Sequence, residues 1–205
     1  MQSVRKAVFA GCVVVVFGLL VLPVLTSCTT PFSTYSRYMF EGRKYWEVKE
    51  YEPARKSFAN AYEAQKEVAA LSWAATTSYW LNDLSSAERY IQEAETMPML
   101  KASVSWFRVT GYKALILFKQ GKKAEGFDVL RQYVYAYGYT YPSTNLPLID
   151  LMVRKGEADI PRLQAMLEED IYAYEEEMGL FESAGVGYYN RNYGAAGGNS
   201  GSPSP

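Results

Sequence analysis

The sequence predicts an all-α fold, and three observations carry that prediction. Apolar residues recur at three- and four-residue spacing from about Tyr35 to Gly179, the periodicity of helices with one buried face. Strand signals are nearly absent from the same region. Short breaks such as Asn82-Asp83 and Gln120-Gly121 separate the periodic stretches. Helices joined by such short breaks are expected to form antiparallel hairpins.

The first predicted hairpin is the clearest. Pro53 is suited to the first turn of its second helix, because that position needs no backbone N–H donor. The apolar and small residues of its two helical stripes are Tyr38, Gly42, Tyr45, Ala54, Phe58 and Ala61.

The later elements follow in order. Ser85–Glu88 has the pattern of a capping box, which predicts a helix over Leu84–Glu95. A third pair of helices is divided at Gln120-Gly121, and a short helix at about Leu146–Arg154 is expected to pair with a long last helix. Asp159 is expected to cap that last helix, with Pro161 in its first turn.

The segment Arg131–Pro142 is ambiguous, because its tyrosines alternate with other residues as in a strand. A lone strand would have no partner in a helical chain. We therefore expect a helix that ends near Gly138 and passes into a loop. An exposed tyrosine patch that binds a partner is the functional alternative.

These residues resemble the tetratricopeptide repeat. The first hairpin matches the repeat's small and aromatic positions, although Glu41 and Lys66 stand where Leu and Pro are usual. A weaker second unit places Ala87 at the position of Ala54, a step of 33 residues where 34 is usual. The resemblance implies a right-handed superhelical array of antiparallel hairpins with about three repeats and a C-terminal helix pair.

Residues 1–27 are predicted to be an export signal, because Arg5 and Lys6 precede an uncharged apolar run from Ala7 to Leu22. Leu25–Cys28 resembles the lipobox of bacterial lipoproteins, which implies cleavage before Cys28 and lipidation of that cysteine. An uncleaved anchor helix stays open, since an apolar stretch that continues to Leu25 is just long enough to span a bilayer, and so does an ordinary signal peptide. Thr29 favours the outer membrane, because the family's inner-membrane signal in some bacteria is Asp at this place.

The amino-acid composition excludes several kinds of active site. The sequence has no histidine, and cleavage would leave Cys28 as the sole cysteine, so catalytic triads and the usual zinc sites are excluded. The acidic clusters at 168–170 and 175–177 lie on one predicted helix, where neighbours fan out by about 100° and do not converge. Loss of Arg5 and Lys6 changes 21 basic and 22 acidic residues to 19 and 22, a charge of −3. We expect no enzyme activity, cofactor, metal site or nucleic-acid partner.

The repeat resemblance also implies a concave partner-binding surface, formed by the first helix of each hairpin. Its predicted residues are Arg43, Trp46, Tyr79, Trp80, Arg108, Phe118 and Lys119. Aromatic side chains with basic edges suit an extended peptide. The competing interpretation is that Trp46, Trp80 and Phe118 are core and that the C-terminal helix fills the groove. The sequence leaves both interpretations open.

The expected organisation is a signal peptide at 1–27, a lipidated N-terminus and tether at 28–34, a helical domain at 35–180 and a disordered Gly/Ser-rich tail at 181–205. The expected function is that of a lipid-anchored adaptor in the bacterial envelope, bound to the membrane by its lipid and to another envelope protein or peptide. The alternative is a small-ligand-binding periplasmic lipoprotein associated with a transporter, whose aromatic pocket would be deep and closed.

Overall fold

The computed structural model of the chain describes the backbone of residues 31–184 and the side chains of residues 31–180. This part of the chain folds into eight helices without a strand, so the all-α prediction is confirmed. The helices are α1 Pro31–Glu47, α2 Tyr51–Ala64, α3 Val68–Trp80, α4 Leu84–Glu95, α5 Val104–Lys119, α6 Lys123–Thr140, α7 Leu146–Lys155 and α8 Ile160–Ala184. The predicted signal, Cys28 and the tail beyond residue 184 lie outside the described residues.

Four connections share one backbone geometry. After α1, α3, α5 and α7, a single residue takes a left-handed conformation, with φ of 62°, 58°, 77° and 67° at Lys49, Asn82, Gly121 and Gly156. In each case its N–H donates to the carbonyl three residues back, and the following N–H donates to the carbonyl five residues back. These are the two bonds of a Schellman motif, which ends a helix and redirects the chain. The same turn therefore recurs at residues 49, 82, 121 and 156.

Packing follows chain order from α1 to α7, each helix lying against the next, and α3 also packs on α5. Two glycines allow close approach: a Cβ on Gly42 would lie 2.6 Å from the ring of Phe58, and one on Gly126 would lie 2.8 Å from the ring of Phe118. Within the described residues, α3 is buried along nearly its whole length.

The last helix departs from this order. α8 packs principally against α5. α7 packs on α6 and is tied to α8 at its start, where Ser143 Oγ and Asn145 Nδ2 donate to Asp170. α8 thus lies against a helix in the middle of the chain order, and not only against its neighbour in sequence. Among residues 31–184, no helix is both long enough and apolar enough to cross a bilayer.

One helix boundary and one helix cap differ from the predicted ones. α1 begins at Pro31, inside the segment predicted as a tether, and proline is well suited to the first helical position. α4 has the predicted bounds, but its cap is Asp83, whose carboxylate accepts the N–H of Ser86. Asp83 supplies this bond in place of the predicted capping box.

The tyrosine-rich segment is helical as predicted, and α6 passes through Gly138 and ends two residues later, at Thr140, where the loop begins. On a helix, residues four apart share a face. Tyr133 and Tyr137 are therefore buried and stack at 5.5 Å, whereas Tyr135 and Tyr139 lie on the opposite, exposed side. The alternating tyrosines therefore form two stripes of one helix and not the two faces of a strand.

Candidate functional site

An open cleft of about 700 Å³ lies between the C-terminal half of α1, the start of α2, the helix α3 and the last part of α8. Its lining contains five aromatic side chains, with charged residues at the edges. The lining residues are Arg43, Trp46, Glu47, Lys49, Tyr51, Trp73, Trp80, Tyr172, Glu175, Glu176 and Gly179. We call this the aromatic cleft.

Helical spacing brings these side chains to one place. Trp73 and Trp80 are seven residues apart on α3, two turns of one face. Tyr172 and Gly179 have the same spacing on α8. The Schellman turn at Lys49 reverses the chain directly beside the cleft, so that the start of α2 joins the end of α1 in its wall.

The aromatic rings form a continuous wall. Trp46 lies 5.1 Å from Tyr51, 5.6 Å from Trp73 and 6.2 Å from Trp80, measured between ring centroids. Tyr51 and Trp80 are stacked at 5.5 Å, and Tyr172 approaches Trp73 at 6.2 Å. Trp80 is 39% exposed and Tyr172 36% exposed, so part of this wall faces solvent.

Glu175 binds two arginines at the back of the cleft. Arg43 Nη2 donates to Glu175 Oε1 at 2.8 Å, and Arg108 Nη2 donates to Glu175 Oε2. Arg108 is 1% exposed, and its guanidinium lies over the ring of Trp73 at 3.8 Å. Because a buried guanidinium needs a counter-charge, Glu175 both neutralises Arg108 and fixes α8 to α5.

Glu168 lies two helical turns before Glu175 and also fixes α8 in place. Its Oε1 accepts Trp80 Nε1–H at 3.0 Å, the Tyr112 hydroxyl at 2.7 Å and Gln164 Nε2 at 3.1 Å. The Tyr79 hydroxyl donates to Gln164 Oε1. Burial, and secondarily the charge of Glu168, raises the pKa of Tyr79 to about 12. These polar contacts line the seam between α8 and the face formed by α3 and α5.

The structure distributes the predicted partner-binding residues over three places. Arg43, Trp46 and Trp80 line the aromatic cleft. Tyr79 and Arg108 are each 1% exposed and hydrogen-bond to residues of α8.

The other two predicted residues lie apart from the cleft. Phe118 is 8% exposed and packs on Phe127 at 4.9 Å between ring centroids, beside Gly126. Lys119 is exposed, with its Nζ 4.0 Å from the ring of Tyr79. Of the two interpretations that the sequence left open, each describes part of the surface: α8 covers its middle, and the aromatic cleft stays open at one end.

Sequence reasoning missed several members of the cleft. Trp73 had a usable signal, because it precedes Trp80 by two helical turns. Tyr172 and Glu175 had none, since the face of α8 that meets the cleft depends on how that helix docks against α3 and α5.

The cleft presents flat aromatic faces and charged groups. Within residues 31–184 there is no cluster of three or more His, Cys, Asp or Glu side chains that could hold a metal ion. Glu175 is held by two guanidinium groups, Arg43 and Arg108, and so positions α8 beside the cleft. Flat aromatic faces with polar edges can take planar groups of a peptide.

No protein-family model, no curated protein and no solved structure matches this chain.

Proposed function

We propose that this chain is a lipid-anchored repeat protein of the bacterial cell envelope that acts as an adaptor, with the aromatic cleft as its partner-binding site. The observation that carries the proposal is the open wall of Trp46, Tyr51 and Trp80 beside charged residues. Aromatic residues with a partly exposed face are typical anchors of peptide and protein interfaces, because they offer large contact area at low entropic cost.

The repeat part of the proposal is supported by the recurring turn. The four left-handed residues are 33, 39 and 35 positions apart, at 49, 82, 121 and 156. Repeats of 33 to 40 residues with two helices each are typical of helical arrays, and tetratricopeptide units have this helix–turn–helix form. We propose a tetratricopeptide-like array whose last helix, α8, turns back across its inner face.

The membrane part rests on the lipobox-like sequence. Cys28 precedes α1 by three positions along the chain, and Arg43 and Trp46 lie near the far end of that helix. A helical rise of 1.5 Å per residue places Trp46 about 22 Å along α1 from Pro31. The proposed lipid anchor and the cleft are therefore at opposite ends of α1. This arrangement would hold the cleft away from the bilayer surface, at the outer membrane facing the periplasm.

The open form of the cleft favours an adaptor over a small-ligand carrier. A small ligand is usually buried over most of its surface by its pocket. Trp80 and Tyr172 are more than a third exposed here, and the Arg43 side chain is 49% exposed. An extended peptide would use such an open surface, whereas a solute would be poorly enclosed.

The test is crosslinking in membranes followed by affinity purification and mass spectrometry of the bound proteins. Trp80→Ala should lose the crosslinked partner, because it removes a partly exposed ring from the cleft wall. The variant should keep its fold, since Glu168 retains the hydrogen bonds from Tyr112 and Gln164. Tyr139→Ala is the matched control, an aromatic side chain 78% exposed on another face.

Retention of the partner by a folded Trp80→Ala protein would refute the cleft as its binding site. If the far-ultraviolet circular dichroism of that variant shows unfolding, Tyr172→Ala replaces it, because that ring is exposed on the other wall. Cys28→Ala tests the anchor separately. It should abolish acyl labelling and membrane partitioning, and an unlabelled protein that stays fully in the membrane would refute lipidation.

A further inference from the structure

The aromatic cleft lies next to the place where α8 ends. Gly179 lines the cleft, and the helix continues only to Ala184. At 1.5 Å per residue, the helix end is about 7.5 Å beyond Gly179. The described chain therefore ends within about 7.5 Å, along the helix, of a residue that lines the cleft.

That following chain has a composition suited to the cleft. Residues 185–205 contain three tyrosines, Tyr188, Tyr189 and Tyr193, and a single charged side chain, Arg191. Gly185 and Gly187 separate the helix end from the first tyrosine, and glycine permits the tight backbone turns that a chain reversal needs.

The charges of the cleft also select a nearly neutral occupant. Glu175 is already neutralised by Arg43 and Arg108. The remaining charged residues of the lining are Glu47, Lys49 and Glu176, all exposed. These three carry a net charge of −1, and Glu175 with its two arginines carries +1, so the charged groups at the cleft sum to zero, which suits a segment with only one charged side chain.

The ring geometry excludes a different occupant, a quaternary ammonium group. A cation cage needs ring faces spread around a space about 6 Å from each centroid. Here Trp46 contacts Tyr51 at 5.1 Å and Trp80 at 6.2 Å, so these rings fill the space between them. The face of Trp73 is already covered by the Arg108 guanidinium at 3.8 Å. The wall offers a platform for flat groups instead.

We propose that the tyrosine-bearing segment 185–193 of the same chain docks in the aromatic cleft and stacks its tyrosine rings against the wall of Trp46, Tyr51 and Trp80. The reach is sufficient, because four extended residues from Ala184 to Tyr188 span up to about 13 Å, more than the roughly 7.5 Å back to Gly179. An envelope partner would have to displace this segment, so the segment sets the threshold for partner binding. This regulatory consequence rests on the proposed function, whereas the docking itself does not.

A tethered ligand of this kind is effective even when its intrinsic affinity is weak. A short flexible linker gives an effective concentration on the order of 1 mM. A segment with a dissociation constant of about 0.1 mM would then be bound roughly ten times more often than released. Competing ligands should therefore bind about tenfold more weakly to the intact chain than to one whose tyrosines are removed.

Photocrosslinking in the purified full-length chain tests the docking without any partner. The photoreactive amino acid benzoylphenylalanine replaces Tyr189, and the crosslinked peptides are mapped by mass spectrometry. We expect intramolecular links to the cleft, at Trp46, Lys49 or Trp80, and their loss when Trp80→Ala is added. Replacement of Ser202 by the same amino acid is the control and should give no cleft links, because that residue lies far along the tail. Links to a second copy of the chain, links elsewhere on the same chain, or none at all would overturn the proposal.

The competition is measured with a fluorescent synthetic peptide of residues 185–205. The full-length variant Tyr188→Ser/Tyr189→Ser/Tyr193→Ser should bind this peptide about tenfold more tightly than the unaltered chain does. The matched control Asn190→Ser/Asn192→Ser should bind it like the unaltered chain. Equal affinity for the tyrosine variant and the unaltered chain would overturn the proposal.

The two proposals can fail separately. Cleft crosslinks without any membrane partner would sustain the docking and refute the adaptor. A membrane partner that depends on Trp80, together with no cleft crosslinks from Tyr189, would sustain the adaptor and refute the docking.

Discussion

Replacement of Glu175 by alanine should be among the most destabilising single changes at the surface of α8. The side chain is only 18% exposed, and it supplies the counter-charge of Arg108, which is 1% exposed. Removing one member of a buried ion pair leaves the other charge buried without compensation and costs about 3–5 kcal/mol. Arg43 also loses this bond, but its side chain is 49% exposed and water can replace the carboxylate.

The double variant Arg108→Met/Glu175→Ala should be more stable than Glu175→Ala alone. Methionine removes the uncompensated charge, which returns about 3–5 kcal/mol. It also removes the cation–π contact with Trp73 at 3.8 Å, which is worth about 2 kcal/mol when desolvated. The difference predicts a net recovery of about 1–3 kcal/mol.

Urea unfolding followed by far-ultraviolet circular dichroism measures the stability of the unaltered chain and of these two variants. With an m-value of about 2 kcal/mol per molar urea, a loss of 3–5 kcal/mol lowers the midpoint by about 1.5–2.5 M. Arg43→Met is the control and should change the midpoint little, because its pair is largely solvated. A double variant less stable than Glu175→Ala would refute the assignment of Arg108 as a charge that depends on Glu175.

Three further outcomes are expected, each measured by urea unfolding. Gly42→Ala should lower the free energy of unfolding by about 1–3 kcal/mol, because the added Cβ would lie 2.6 Å from the Phe58 ring. Gly179→Ala should raise it by about 0.5–1 kcal/mol, because a Cβ added there would meet no atom within 4 Å. Equal effects of the two substitutions would contradict the packing argument. Burial raises the pKa of Tyr79 from 10.0 to about 12, so the unfolded phenol ionises first and stability should fall between pH 10 and 12, less steeply in Tyr79→Phe. Burial also raises the pKa of Asp170, so ionisation of this carboxyl lowers the free energy of unfolding as the pH rises through the folded-state pKa. At pH 7, Asp170→Asn should therefore unfold at a higher urea concentration than the unaltered chain. This difference in urea midpoint should shrink towards pH 4.

The helices were predictable because their signals are local. The bounds Leu84–Glu95 follow from the Asn82-Asp83 turn and from polar residues at the helix start, although Asp83 proved to be the capping residue. The alternating tyrosines left the segment ambiguous, since period two over a few residues also matches two stripes of a helix, and the helix expected there is present. The Schellman turn at Lys49 had no sequence signal, because lysine rarely takes a positive φ.

The cleft was only half predictable. Arg43, Trp46 and Trp80 were chosen because the repeat resemblance points them inward, and they do line one cleft. Arg108 had the same expected direction, yet it is buried under α8. Nothing in the local sequence distinguishes these cases, because burial depends on which other element covers the surface.

By itself the sequence determined that this chain is helical, where most helices begin and end, and which stripe of each helix is apolar, because backbone hydrogen bonding and side-chain periodicity are set within a few residues. Only the tertiary structure decided what each stripe meets. α8 has acidic residues at 168 and 175, which a solvated helix would also show. They become anchors because Trp80, Tyr112 and Arg108, distant in the chain, present donors at the same seam. The docking of α8 covers Tyr79 and Arg108 and leaves the aromatic cleft open. Such complementarity between distant residues exists only after the chain has folded.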